Sequence, residues 1–113
     1  MKKFIYRFTK KFFRDVGNSI NYSEMKKIIR DNQDVVILDV RTREEYLEKH
    51  IDKAVNLPLQ DISLDKLKRY IKSKSSIVIV YCEYGGRSRK AAIKLNKMGY
   101  VNVYNLDGGI ESI

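Results

Sequence analysis

Short apolar blocks alternate with helix-spaced patterns along most of the chain. Residues 35–40 (VVILDV, interrupted only by Asp39) and 77–81 (IVIVY) are apolar at consecutive positions, the pattern of strands buried on both faces. Residues 54–57 and 101–104 predict two briefer strands, the first stopped by Pro58. Four helical patterns lie among them. Asn21, with Glu24 three positions on, forms a capping box ahead of Met25, Ile28 and Ile29. Thr42 with Glu45 opens a second helix running to Lys49. Leu64, Leu67 and Ile71 mark a third; Ala91, Ala92, Leu95 and Met98 mark a fourth that ends at Gly99. Doubly buried strands alternating with helices predict an α/β domain, a central parallel sheet flanked by helices in three layers. Such sheets bind ligands beyond the carboxyl ends of their strands.

Residues 1–17 break this pattern. Phe4, Ile5, Phe8, Phe12 and Val16 fall on one side of a helical wheel, and Lys3, Arg7, Lys10, Lys11 and Arg14 on the other. Six basic residues against Asp15 place +5 of the chain's net +9 here. Gly17-Asn18-Ser19 is the composition break, dividing a basic amphipathic arm (1–17) from a domain (18–113). A basic helix with an aromatic face suits an anionic membrane surface or a protein partner. Packing of that face on the domain, or disorder, are the alternatives. No base-reading motif accompanies the charge, so nucleic acid is not the expected partner. Charge also interrupts the arm too often for a secretory signal.

The chain has 113 residues, the size of one domain, and no apolar run of the ~18 residues a membrane span needs. One cysteine excludes an internal disulfide, and with one histidine it excludes the usual structural zinc sites. A free thiol without a disulfide framework points to a reducing compartment, the cytoplasm, with the arm offering peripheral membrane attachment.

That cysteine is Cys82, in the segment YCEYGGRS that follows the strand at 77–81. A strand ends there, a tight loop follows, and a helix is expected to begin near Arg87 or Ser88. The first amides of a helix have no intrahelical partners. Gly85 and Gly86 are expected to curl the loop through positive φ and turn successive N–H groups inward. Cys82 would then lie at the base of a ring of donors spanning Glu83, Tyr84, Gly85, Gly86, Arg87 and Ser88. Such a setting lowers a cysteine pKa from about 8.5 toward the thiolate range and stabilises negative charge on a bound group. The competing reading is a buried, inert cysteine in an ordinary turn.

Four segments in order resemble a single-domain rhodanese, of the rhodanese-like sulfurtransferase family. They are ILDVRTREEY (37–46), HIDKAVNLP (50–58), VYCEYGGRSRKAAIKL (80–95) and GYVNVYNLDGGI (99–110). The resemblance implies a thiosulfate:cyanide sulfurtransferase-like activity. The Cys82 thiolate would take a sulfane sulfur from a small donor such as thiosulfate or a persulfide, and pass it to a thiol acceptor through a persulfide. The loop residues 83–88 would bind donor and persulfide, and neither metal nor organic cofactor is implied. Asp39 and Arg41, at the end of the first long strand, and Glu45, one helical turn on, read as an ion-pair network or as supports of the cysteine loop. His50 takes a structural position after the second helix.

Departures from the family pattern carry expectations of their own. Glu83, directly after the cysteine, is expected to raise the thiol pKa and repel thiosulfate. Lys49 and Lys53 stand where glycine is common, and a positive φ at either costs about 1 kcal/mol. Two rivals use the same cysteine. A persulfide relay or redox sensor would meet partner-protein thiols through Glu83 and Tyr84. A cysteine phosphatase of related fold would need five residues between cysteine and arginine, whereas four separate Cys82 from Arg87.

Overall fold

The computed structural model describes residues 18–113; the reading of residues 1–17 as a basic arm lies outside them. Five parallel strands form one sheet: β1 (Ser19–Ile20), β2 (Val36–Asp39), β3 (Val55–Asn56), β4 (Ile77–Tyr81) and β5 (Asn102–Leu106). Their spatial order is β1-β5-β4-β2-β3. Four helices connect them: α1 (Tyr22–Asp31), α2 (Arg43–Glu48), α3 (Leu64–Tyr70) and α4 (Gly86–Lys97), with short 3-10 turns at Leu59–Asp61 and Gly109–Ser112.

Both capping boxes form. Asn21 Oδ1 accepts the Glu24 amide and Glu24 Oε1 the Asn21 amide, each at 2.8 Å. Thr42 Oγ1 accepts the Glu45 amide at 3.2 Å, and Glu45 Oε1 returns the bond to Thr42 at 2.9 Å. Each box satisfies two amides that a helix start leaves unpaired, so these sequences fix where α1 and α2 begin.

Alternation along β4 splits the core in two. Val78, Val80 and Cys82 face Leu67 of α3 and Ala91, Ala92 and Leu95 of α4. Ile79 and Tyr81 face Met25 and Ile28 of α1 and Ile110 of the last turn. Helices therefore cover both faces, as the doubly apolar strands predict. The expected last strand, 101–104, instead runs to Leu106, because Asn105 is buried at 3% exposure and continues the pairing through Val80. β1 has no expected counterpart; two residues carry no readable period. Among the described residues no helix is long and apolar enough to cross a membrane.

The two lysines at glycine-favouring positions behave differently. Lys49 is extended, with φ −165. Lys53 has φ +69, the left-handed region, at the third position of a turn closed by Ala54 N donating to Ile51 O at 3.0 Å. A side chain there costs about 1–2 kcal/mol. Glycine removes that strain but gives back about 0.5–1 kcal/mol in unfolded-chain entropy. Lys53→Gly is therefore expected to stabilise the fold by up to about 1 kcal/mol, read as a higher urea midpoint at unchanged slope.

Candidate active site

The connection from β2 leads outward to β3, whereas that from β4 leads the other way to β5. The crevice between the carboxyl ends of β2 and β4 is thus the switch point of the sheet, where open parallel sheets bind ligands. Pairing continues past the strands, with Val40 N donating to Tyr81 O at 3.0 Å. This sets Asp39 and Arg41 beside Cys82.

Cys82 is buried, at 1% exposure, yet its sulfur faces donors as well as the apolar core. The Gly85 amide reaches Sγ at 3.1 Å, the Ser88 amide at 3.3 Å and Ser88 Oγ at 3.4 Å. Burial alone pushes the thiol pKa up. The Ser88 hydroxyl and the amides of Ser88, Gly85 and Tyr84 outweigh it, and the pKa is lowered. Gly85 makes this possible: at φ +113 it caps α4 from the left-handed region. Gly86 does not share that conformation. It is the first residue of α4, so the helix starts earlier than Arg87 or Ser88 and a single glycine curls the loop.

The expectation that Glu83 raises the thiol pKa is corrected. Its carboxylate turns to Arg41, with Oε1 3.4 Å from Nη1, and the main causes of the Cys82 shift, which is downward, are burial and the Ser88, Gly85 and Tyr84 donors. Arg41 is itself buried, at 1% exposure, and uses its whole fork. Nε and Nη2 donate to the Asp39 carboxylate at 3.1 and 2.8 Å, Nη2 also to the Lys49 carbonyl, and the guanidinium carbon lies 5.6 Å from the Tyr81 ring. Burial acts to lower the Arg41 pKa, but Asp39 overrides it and the pKa is raised, so the group stays charged. The Tyr81 hydroxyl accepts the Ile51 amide at 3.0 Å, and burial pushes its pKa well up. Asp39 and Arg41 thus hold together the end of β2, the chain after α2 and the residue following the cysteine.

Arg87 belongs to a second fork. Its Nη1 and Nη2 meet Glu45 Oε1 and Oε2 at 2.8 and 3.0 Å. The Arg87 bond holds the Glu45 pKa down to about 2, and the pair ties α2 to the start of α4. Tyr84, at the loop tip, is 73% exposed. His50 stands away from this chemistry: its Nδ1 lies 2.8 Å from the Tyr46 carbonyl and its ring stacks on Tyr46 at 3.9 Å.

Two residues of the site escape the sequence patterns. Asn105, buried near the end of β5, has Oδ1 in hydrogen-bond contact with Ser88 Oγ, the hydroxyl that faces the sulfur. Its signal is a buried amide among the apolar residues that end the strand. Gly109 lies behind the loop, with φ +65. The amides that follow it, Ile110 and Glu111, donate to the Cys82 and Glu83 carbonyls at 2.8 and 3.1 Å. A Cβ on Gly109 would sit 2.5 Å from the Cys82 carbonyl oxygen and closer still to that of Glu83. Gly109→Ala must therefore displace the backbone that carries the sulfur. A loss of about 2–4 kcal/mol is expected from overpacking and left-handed strain, with the alkylation midpoint of Cys82 shifted upward as the donors move away.

A sulfur met by two amides and a hydroxyl at the switch point of a parallel sheet defines a cysteine-centred α/β domain. The family described as the rhodanese-like domain matches residues 21–113. A thiosulfate sulfurtransferase, GlpE, of Coxiella burnetii is 36% identical over 95 residues, 82% of this chain and 83% of that protein. A probable molybdopterin-synthase adenylyltransferase of Porphyra purpurea is 37% identical over 107 residues; the match covers 86% of this chain but only 27% of the length of that relative. The crystal structure of a rhodanese-like domain protein from Staphylococcus aureus superposes with a TM-score of 0.70 at 29% identity, covering 84% of this chain and 89% of that one. The chain belongs to the rhodanese family, and its enzyme class is that of a rhodanese-type sulfurtransferase.

Proposed function

We propose that the protein carries a sulfane sulfur on Cys82, from a small donor such as thiosulfate to a thiophilic acceptor. The observation that supports this most directly is the convergence of the Gly85 amide, the Ser88 amide and the Ser88 hydroxyl on one sulfur. In the first step the Cys82 thiolate attacks the outer sulfur of thiosulfate. A sulfur–sulfur bond forms on Cys82, the donor's own sulfur–sulfur bond breaks, and sulfite leaves with its electron pair. In the second step the acceptor, cyanide in an assay or a thiolate in the cell, attacks the outer sulfur of the persulfide and releases the Cys82 thiolate. The loop donors suit both steps: the first leaves the perthiolate charge on the outer sulfur, and the second returns it to the Cys82 sulfur. Residues Glu83 to Ser88 form the wall around the transferred atom, and Asp39 and Arg41 act from behind it as positioning residues. A cysteine that must remain a free thiolate suits a reducing compartment such as the cytoplasm.

One observation favours partner-protein thiols as the acceptor. Tyr84 projects from the loop tip at 73% exposure, where an approaching protein would meet it first. Phosphatase chemistry is disfavoured by Arg87, whose two outer nitrogens are both held by Glu45.

The decisive measurement is intact mass after incubation with thiosulfate. The expected result is a gain of one sulfur atom that a reductant reverses, together with a Cys82 alkylation midpoint below the ordinary thiol value of about 8.5. An unchanged mass, or an ordinary midpoint, counts against the proposal.

A further inference from the structure

A second concavity lies on the α1 face of the sheet, lined by none of the cysteine-loop residues. It has a volume of about 550 Å³ and is bounded by α1, the chain at 49–53 and the end of the last 3-10 turn. Its apolar lining comes from Met25 and Ile29 of α1, Ile37 of β2, and Ile51, Ile110 and Ile113. Ile29 and Ile113 are exposed, at 36% and 53%, so among the described residues apolar surface is uncovered here. The charged side chains of the lining are Lys26, Lys49, Lys53 and Asp52, beside the rings of Tyr22 and His50.

We propose that this hollow binds a small amphipathic carboxylate, with its hydrocarbon body against the isoleucines and its anionic head at the lysines. The size falls within the range of about 300–1,000 Å³ typical of small-molecule sites, which pair a mostly apolar lining with a few placed polar groups. Charge decides the class of head group. Lys49 already has a partner, Glu111 Oε2 at 3.7 Å. Lys26 lies 4.8 Å over the Tyr22 ring, a contact that leaves its charge uncompensated. Lys53 makes no ion pair among the described residues, and the left-handed turn described above sets it at the rim. Among the described residues Lys26 and Lys53 thus have no ion-pair partner, and Asp52 is the one carboxylate side chain in the lining. The apolar floor disfavours a small inorganic anion, which would leave the isoleucines wet. The concave shape suits an inserted chain or ring better than a flat membrane surface. The site stands apart from sulfur transfer, although the two share a wall: the amide of Ile110 donates to the Cys82 carbonyl at 2.8 Å.

The test is a calorimetric titration of the full chain with dodecanoate, kept below its micelle concentration, beside dodecyltrimethylammonium, which has the same tail and the opposite charge. Saturable binding of one dodecanoate per chain is expected, with the ammonium analogue at least about tenfold weaker. Ile29→Asp is expected to abolish dodecanoate binding, and Lys26→Glu with Lys53→Glu to weaken it about tenfold. These positions are at the surface or the rim, and circular dichroism checks that each variant folds. Absence of saturable binding, equal affinity for both detergents, or binding that survives the pocket variants overturns the proposal. So does a concentration-dependent dimer in sedimentation that Ile29→Asp dissolves, since the hollow would then be covered by a second copy.

Discussion

Cys82→Ser is expected to fold and to transfer no sulfur. A hydroxyl at this position meets the same three donors, the Gly85 amide and the Ser88 amide and hydroxyl, so its oxygen is not left unsatisfied in the core. The exchange removes little volume from a site that is 1% exposed, and the stability loss is expected to stay within the ~0.5–3 kcal/mol of ordinary single substitutions. Activity responds very differently. Serine is not ionised near neutral pH and forms no persulfide, so the carrier atom of both steps is gone. Thiocyanate production should fall to the uncatalysed rate, and the mass after thiosulfate should stay that of the untreated variant. Retained transfer by a folded Cys82→Ser would move the chemistry away from the cradle.

Asp39→Asn is expected to cost about 3–5 kcal/mol, a large share of the roughly 5–15 kcal/mol that holds a domain of this size together. Asp39 is fully buried and its carboxylate faces a guanidinium whose side chain is only 2% exposed. Removing that one charge leaves Arg41 buried with Glu83 as its remaining ionic partner, at 3.4 Å. Urea denaturation is the measurement. A double variant, Asp39→Leu with Arg41→Met, should recover part of the loss, because replacing both members of a buried pair avoids the orphaned charge. If Asp39→Asn unfolds at the same midpoint as the unsubstituted chain, the network is not a buried electrostatic unit.

Most of the architecture was legible because it rests on local rules. The runs IVIVY and VVILDV had to be doubly buried strands, and Asn21–Glu24 and Thr42–Glu45 had to start helices, since each satisfies its own amides within four residues. The cysteine's position followed from the end of one such strand. What lay outside the sequence is contact across long separations. Glu83 read as a neighbour of the thiol because it is adjacent in the chain; folding instead brings up Arg41, 42 residues away, to take its carboxylate. Arg87 read as a member of the loop, and Glu45, also 42 residues away, takes its guanidinium as a fork. Gly86 read as a hinge equal to Gly85, but a single left-handed residue completes the turn and leaves its neighbour helical. Asn105 and Gly109 touch the loop only through tertiary packing, so no periodicity could have marked them.

The position of β4, flanked on both sides by β5 and β2, has a dynamic consequence. Edge strands breathe first, and central ones open only when most of the domain opens. Under the proposed chemistry, the atom loaded and emptied in each turnover is therefore anchored to a strand held on both sides, while Tyr84 stands exposed at the lip.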